Sequence, residues 1–143
     1  MKHVPFVSII LENSEGEVLL LLRDNKSTRT FPNQWTLLGG SVRAGETPEI
    51  TAQRELREET GLRTSLSFWK HYEREHALFI VDQYVYVGKM EDSSALLVLG
   101  RDMQFFKPAE VEYLKVGYGF KELLTEYFLH GDLTAAHEPH KTS

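Results

Sequence analysis

Residues 39–62 read GGSVRAGETPEITAQRELREETGL, and how this stretch is parsed decides the fold. Two glycines open it as a glycine-rich loop. Thr47 can cap a helix with its hydroxyl, and Pro48 suits the first helical position, where no amide donor is required. Gly61 suits the left-handed position just past a helix end. The spacing predicts a short helix between Thr47 and Gly61. At about 100° per residue, Glu55, Glu58 and Glu59 fall within roughly a 100° arc of its surface.

Such a helix is a poor design for stability alone. Glu55 and Glu59 are four residues apart, where like charges cost roughly 0.2–0.5 kcal/mol. Glu58 and Glu59 sit in the last turn, where the helix dipole disfavours anions. Arg54, four before Glu58, offsets part of this. One reading is a solvated acidic face with no ligand. The other is a metal site: three carboxylates beside a loop offering backbone carbonyls suit a hard, oxygen-preferring ion such as Mg²⁺ or Mn²⁺.

The wider frame weighs against the solvated face. Gly40 is followed after five residues by Glu46, then after seven by Arg54-Glu55-Leu56, then Glu58-Glu59 and Gly61-Leu62. This pattern resembles the Nudix box at every specified position, and a chance match at one start point is on the order of 10⁻⁹. The resemblance implies an α/β fold, a Nudix-type α/β/α sandwich with a mixed β-sheet. It implies hydrolysis of a pyrophosphate bond in a nucleoside diphosphate linked to another group, with Mg²⁺ as cofactor and Mn²⁺ as its substitute. Glu58 and Glu59 would be direct metal ligands and Glu55 a ligand or the group activating water, with a backbone carbonyl from Gly39 or Gly40. The catalytic set it implies is Glu55, Glu58 and Arg54, the last orienting the glutamates. The general base is Glu55 or Glu58. Glu46 would serve the helix start or the outer shell.

Members of the family often add a carboxylate from a later loop. Here Leu99-Gly100-Arg101-Asp102 replaces the usual segment, so Asp102 is the leading candidate, ahead of Glu91 and Asp92. Arg23, after the second strand, matches the place where relatives use an arginine on phosphate or base. Gly40 and Arg29 complete the expected substrate-binding set, with Lys26 and Arg43 as weaker candidates. The family usually has Pro-Gly-Gly where this chain has Leu38-Gly39-Gly40, which removes some loop rigidity.

The remaining composition sets bounds. The chain has 143 residues, enough for one domain with its own core. We divide it into a domain at 1–131 and a flexible tail at 132–143. There are no cysteines, hence no disulfide framework and no thiolate chemistry. That fits a cytoplasmic protein, and MKHVPFVSII reads as a first strand rather than a signal peptide. No apolar run reaches the ~18 residues of a membrane span. The net charge of −5 argues against a nucleic-acid polymer as partner. It does not exclude a small anionic ligand, because bound cations invert the local field. The six histidines show no metal-binding spacing. The resemblance allows a homodimer without identifying an interface.

Periodicity supplies the other elements. Val4–Leu11 and Val18–Leu22 read as buried strands around a turn at Asn13–Gly16. Trp35–Leu38 and Ser41–Arg43 read as short strands. Ser65–Tyr72 reads as a half-buried strand, Ala77–Val87 as a long central one, and Ala95–Leu99 and Gln104–Phe106 as short ones. Pro108 opens a short helix to about Leu114. Phe120, Leu123, Leu124, Tyr127 and Phe128 follow helical spacing from Val116 to His130, with Gly131 as the stop.

Substrate patterns outside the box are mostly absent. The chain lacks the run associated with NADH pyrophosphatases. It lacks the proline of ADP-ribose enzymes, reading His76-Ala77-Leu78 there, and the tyrosine of diadenosine polyphosphate enzymes. Leu20-Leu21-Leu22-Arg23 only loosely echoes the coenzyme A pattern. Lys115-Val116-Gly117-Tyr118 offers no asparagine for guanine. What remains is the MutT-like group, acting on nucleoside triphosphates or related nucleotides. The alternative from another class is a catalytically silent Nudix-fold module that binds a nucleotide without cleaving it.

Overall fold

The apolar run near the N-terminus forms β1 (Lys2–Glu12), in which Val7, Ile9, Ile10 and Leu11 are fully buried. In this computed structural model the described residues are 1–22, 33–90, 103–117 and 119–136, with backbone alone described at 131–136. β1 lies inside a mixed sheet. Along its whole length it pairs in parallel with β6 (Phe79–Lys89), from Lys2↔Phe79 to Glu12↔Lys89. β6 pairs in turn with the antiparallel β5 (Leu66–Glu75). On its other edge β1 holds β4 (Leu38–Ser41) and, past its end, β2 (Val18–Leu22). β2 carries β3 (Trp35–Thr36) and β7 (Met103–Phe106).

Strand alternation sends β1 side chains to two separate cores. Val7, Ile9 and Leu11 pack with Ala52 and Leu56 of α1 (Pro48–Thr60). Ile10 faces the opposite way. It joins Val85, Val111 of α2 (Pro108–Val111), and Phe120, Leu123 and Leu124 of α3 (Phe120–Ala136). The result is the expected α/β/α sandwich, with α1, among the described residues, the one helix on its face of the sheet. Among the described residues, no helix is long and apolar enough to cross a membrane.

The structure departs from the sequence reading in several places: the strand expected at Trp35–Leu38 is divided between β3 and β4, α2 ends at Val111 rather than near Leu114, and α3 starts at Phe120 rather than Val116. Gly39 and Gly40 are not in a loop: both lie inside β4, paired with Ser8 and Val7. The strand expected at Ser41–Arg43 ends at Ser41: Val42 donates a last amide to the Pro5 carbonyl, Pro5 has no amide to return, and the chain turns at Arg43, whose carbonyl accepts from the Glu46 amide. β5 runs three residues beyond Tyr72, to Glu75, because its ladder with β6 continues to Ile80. Gly131 does not end α3, which continues to Ala136. A glycine inside a helix costs only about 0.5–1 kcal/mol relative to alanine, too little to stop it. The expected strand at Ala95–Leu99 lies outside the described residues.

Candidate functional site

The site is built where α1 crosses β4. The helix starts as its sequence demands: the Thr47 hydroxyl accepts from the Ile50 amide at 3.2 Å, and Pro48 occupies the first turn. It ends at Gly61, at φ 75°, whose amide donates to the Arg57 carbonyl. Ala52 and Leu56 are fully buried and fix the rotation of the helix about its axis. That rotation carries Glu55 and Glu59 onto the glycines of β4.

The contact is close enough to need glycine. A β-carbon at Gly40 would stand 2.2 Å from Glu55 Oε2 and 2.6 Å from its Cδ. One at Gly39 would stand 2.0 Å from the Val7 carbonyl oxygen. The Gly39 amide donates to Glu59 Oε1 at 3.1 Å. The two glycines thus let a strand edge and a carboxylate-bearing helix share space that any side chain would fill.

Arg54 lies at the centre of the acidic groups and is only 8% exposed. Its Nε and one terminal nitrogen form a fork on Glu46, at 2.6 and 3.0 Å. The same terminal nitrogen reaches the Ser41 carbonyl at 3.3 Å. The other donates to Glu55 Oε2 at 3.1 Å and to Glu58 Oε1 at 3.2 Å. A guanidinium has five N–H donors, and these contacts use all of them. Glu46 also accepts from the Thr51 hydroxyl at 2.7 Å and from the Arg43 amide at 3.1 Å. The Arg54 hydrogen bonds, then that from Thr51, hold the Glu46 carboxyl down to about 2. Arg54 is correspondingly pushed further above its ordinary range, chiefly by Glu46.

Glu55 is mostly covered, with 14% of its side chain exposed, whereas Glu58 is 46% exposed. The structure therefore brings together Glu55, Glu58, Glu59, Arg54, Glu46, Gly39 and Gly40. Arg23, Arg29, Lys26, Glu91, Asp92, Asp102 and Tyr118 lie outside the described residues. Arg43, between Gly40 and Glu46 in the box, is exposed and touches Glu46 through its backbone. Trp35 packs edge-on against Phe106, with ring centres 4.8 Å apart, as part of the α3-side core. His76 sits at the β5–β6 turn, stacked on Phe79.

The donor set fits a hard divalent cation, since it is all oxygen and Glu55 is seated in a cradle that a β-carbon would fill. Glu55 and Glu58 lean on Arg54, and Glu59 on the Gly39 amide. A shallow cavity of about 380 Å³ is lined by Glu46, Glu49, Ile50, Gln53, Arg54 and Arg57, so it is a groove beside the carboxylate set rather than the set's own cleft. Among the described residues, the group whose ligand atoms already lie within 4.8 Å of one another is a different one: His3, Glu73 and Asp82. Sequence reasoning missed this group. The signal was there in Asp82-Gln83, a polar pair interrupting an otherwise apolar strand.

The NUDIX domain family matches residues 2–127 of the chain. Among characterised relatives, a stretch of 60 residues is 43% identical to the m7GpppN-mRNA hydrolase NUDT17 of Xenopus laevis, covering 42% of this chain and 20% of that protein. A stretch of 67 residues is 34% identical to the nucleoside triphosphatase NudI of Enterobacter sp. (strain 638), covering 47% of this chain and 46% of that protein. The chain therefore spans less than half the length of either relative. The MutT protein from Methanosarcina mazei Go1 superposes with a TM-score of 0.75 at 22% identity, covering 91% of this chain and 96% of that one, a likeness of fold.

Proposed function

The chain belongs to the Nudix family, and from that premise we propose that it is a Mg²⁺-dependent hydrolase of a pyrophosphate bond in a nucleoside triphosphate or related nucleotide. The observation that carries this reading is the seating of Glu55 and Glu59 on Gly40 and Gly39, with Arg54 tying Glu46, Glu55 and Glu58 together. Nudix enzymes generally use a divalent metal. Glu55, Glu58, Glu59 and the Gly39 carbonyl would hold it, and when bound it would screen the charge of the diphosphate and stabilise the leaving phosphate.

The chain's own residues do the rest. Glu55 or Glu58 takes a proton from the attacking water. The water oxygen bonds to phosphorus as the bridging P–O bond breaks, and the bridging oxygen leaves with the departing phosphate. Arg54 touches no substrate, because all five donors are committed. It keeps Glu55 and Glu58 aimed through one hydrogen bond to each. Glu46 anchors Arg54. Arg23, Gly40 and Arg29 are proposed as contacts to the substrate phosphates, and Asp102 as a further ligand. The names of the relatives, one a nucleoside triphosphatase and one an mRNA-cap hydrolase, support a nucleotide as substrate.

The test is incubation of the full chain with Mg²⁺ and a panel of nucleoside triphosphates and nucleoside diphosphate conjugates, with products resolved by ion exchange. At least one member should be cleaved to two phosphate-bearing products. Glu58→Gln and Glu59→Gln should each lower turnover by on the order of 10³-fold. No turnover of any member, combined with tight nucleotide binding by calorimetry, would establish the binding module instead.

A further inference from the structure

A second group of ligating side chains lies on the same sheet face as α1 but on other strands. β1 alternation puts His3 on the face of Val7 and Ile9, and the register sets Asp82 of β6 opposite Pro5 and Glu73 of β5 opposite Asp82. His3 Nδ1 lies 2.7 Å from Asp82 Oδ2 and His71 Nε2 lies 2.9 Å from Asp82 Oδ1. Asp82 is 8% exposed, while His3 and Glu73 are open to solvent. Burial raises the Asp82 pKa, and hydrogen bonds from His71 and then His3 more than offset this, leaving it below the usual carboxylate range. His71 is further fixed by stacking flat on Tyr84, with ring centres 4.7 Å apart. None of these residues belongs to the Nudix box.

We infer that His3, Glu73 and Asp82 form a second divalent-metal site, of the zinc class, with His71 holding the free oxygen of Asp82. The donor chemistry separates it from the box. An imidazole nitrogen with two carboxylates suits Zn²⁺ and its neighbours, whereas the all-oxygen box set suits Mg²⁺. The dimensions agree. Ligands about 2.0–2.2 Å from a tetrahedral ion stand about 3.3–3.5 Å apart. The present separations run from 2.7 Å up to a limit of 4.8 Å. Seating an ion asks for shifts of about 1 Å from two solvent-exposed side chains. A ligating carboxylate whose other oxygen is held by a hydrogen bond is the usual outer shell of such a site. Three protein ligands leave a position open to water or a small anion.

The test uses the full chain with any tag at its C-terminus and Glu55, Glu58 and Glu59 all changed to Gln, so that box binding is removed. Co²⁺ is titrated as a spectroscopic probe, followed by Zn²⁺ competition against a chromogenic chelator. One equivalent of Co²⁺ should bind with visible d–d absorption and be displaced by Zn²⁺. His3→Gln, whose amide can keep a hydrogen bond to Asp82, should weaken Zn²⁺ at least tenfold while the chain still unfolds in one cooperative transition. His71→Gln should weaken it 10–100-fold. No bound equivalent in the box-less chain would overturn the assignment, as would a His3→Gln variant with unchanged affinity and spectrum. Nucleotide turnover is not read, so failure of the proposed hydrolase leaves this result standing.

Discussion

Replacing Gly40 with alanine separates catalysis from folding at one atom. The new β-carbon would lie 2.2 Å from Glu55 Oε2 and 2.6 Å from its Cδ. Carbon and oxygen do not approach within about 3 Å without bonding, so the carboxylate must retreat by about 1 Å. The obstacle is the far end of a flexible side chain, and the Gly40 backbone is not at positive φ. The fold therefore loses little, about 1 kcal/mol, or roughly 3 °C in melting temperature for a domain of this size. The site loses more. Glu55 is pushed off its 3.1 Å contact with Arg54 and away from its place among the ligands. A misplacement of about 1 Å in a catalytic constellation costs on the order of 10²-fold, equivalent to about 2.7 kcal/mol of barrier. Gly39→Ala makes the opposite case. Its β-carbon meets the Val7 carbonyl at 2.0 Å, a backbone atom inside the sheet, at a φ of 152°. It should cost roughly 3 kcal/mol or more and about 10 °C. Thermal melts of both variants, with kcat/KM on the best nucleotide of the panel, check the pair. A Gly40→Ala enzyme of wild-type activity, or one as unstable as Gly39→Ala, would refute the reasoning.

Three further outcomes follow from the same geometry. Arg54→Met leaves Glu46, Glu55 and Glu58 without their shared cation and should lower stability by about 3 kcal/mol, read from urea unfolding at pH 7. The Glu46 carboxyl is held at about 2 in the folded chain against 4.5 when free. Between those values the unfolded chain binds more protons, so the stability due to this group is present in full above about pH 4.5 and is lost as pH falls toward 2. Urea titrations from pH 5 to pH 2 should show that slope, and Glu46→Gln should flatten it. Thr47→Ala removes the hydroxyl that accepts the Ile50 amide and should cost about 1 kcal/mol by the same unfolding assay.

Most of α1 was legible because its signals are local. The Thr47 cap, Pro48 and Gly61 act within one or two turns of the helix they bound, so sequence spacing alone locates them. The glycines before it were misread for the converse reason. Gly39 and Gly40 form part of a strand only because Ser8 and Val7, more than thirty residues earlier, supply the ladder. A glycine pair looks like a loop until the partner strand and the Glu55 carboxylate occupy the space a side chain would need. The same distance hid the histidine group. His3 and Asp82 are 79 residues apart in the chain and meet only because β1 and β6 run in parallel register. A search for metal-binding spacing along the sequence cannot find ligands whose spacing is set by a sheet.

The arginine explains why the acidic helix tolerates its own charge, and also why it stops short of neutrality. Three carboxylates, on Glu46, Glu55 and Glu58, gather around one guanidinium, leaving an excess of two negative charges, and Glu59 adds another on the Gly39 amide. Glu46 takes the two-point contact, which is the strongest geometry Arg54 offers. Glu55 and Glu58 receive one donor each. Arg54 thus puts its best contact on the carboxylate outside the proposed ligand set. Arg54 meets Glu55 at Oε2 and Glu58 at Oε1, one oxygen of each carboxylate. A network selected for stability alone would spread the guanidinium evenly or drop a glutamate. One that anchors its arginine on Glu46 while only steering Glu55 and Glu58 keeps those two carboxylates aimed toward Gly40, as the proposed divalent-ion site requires.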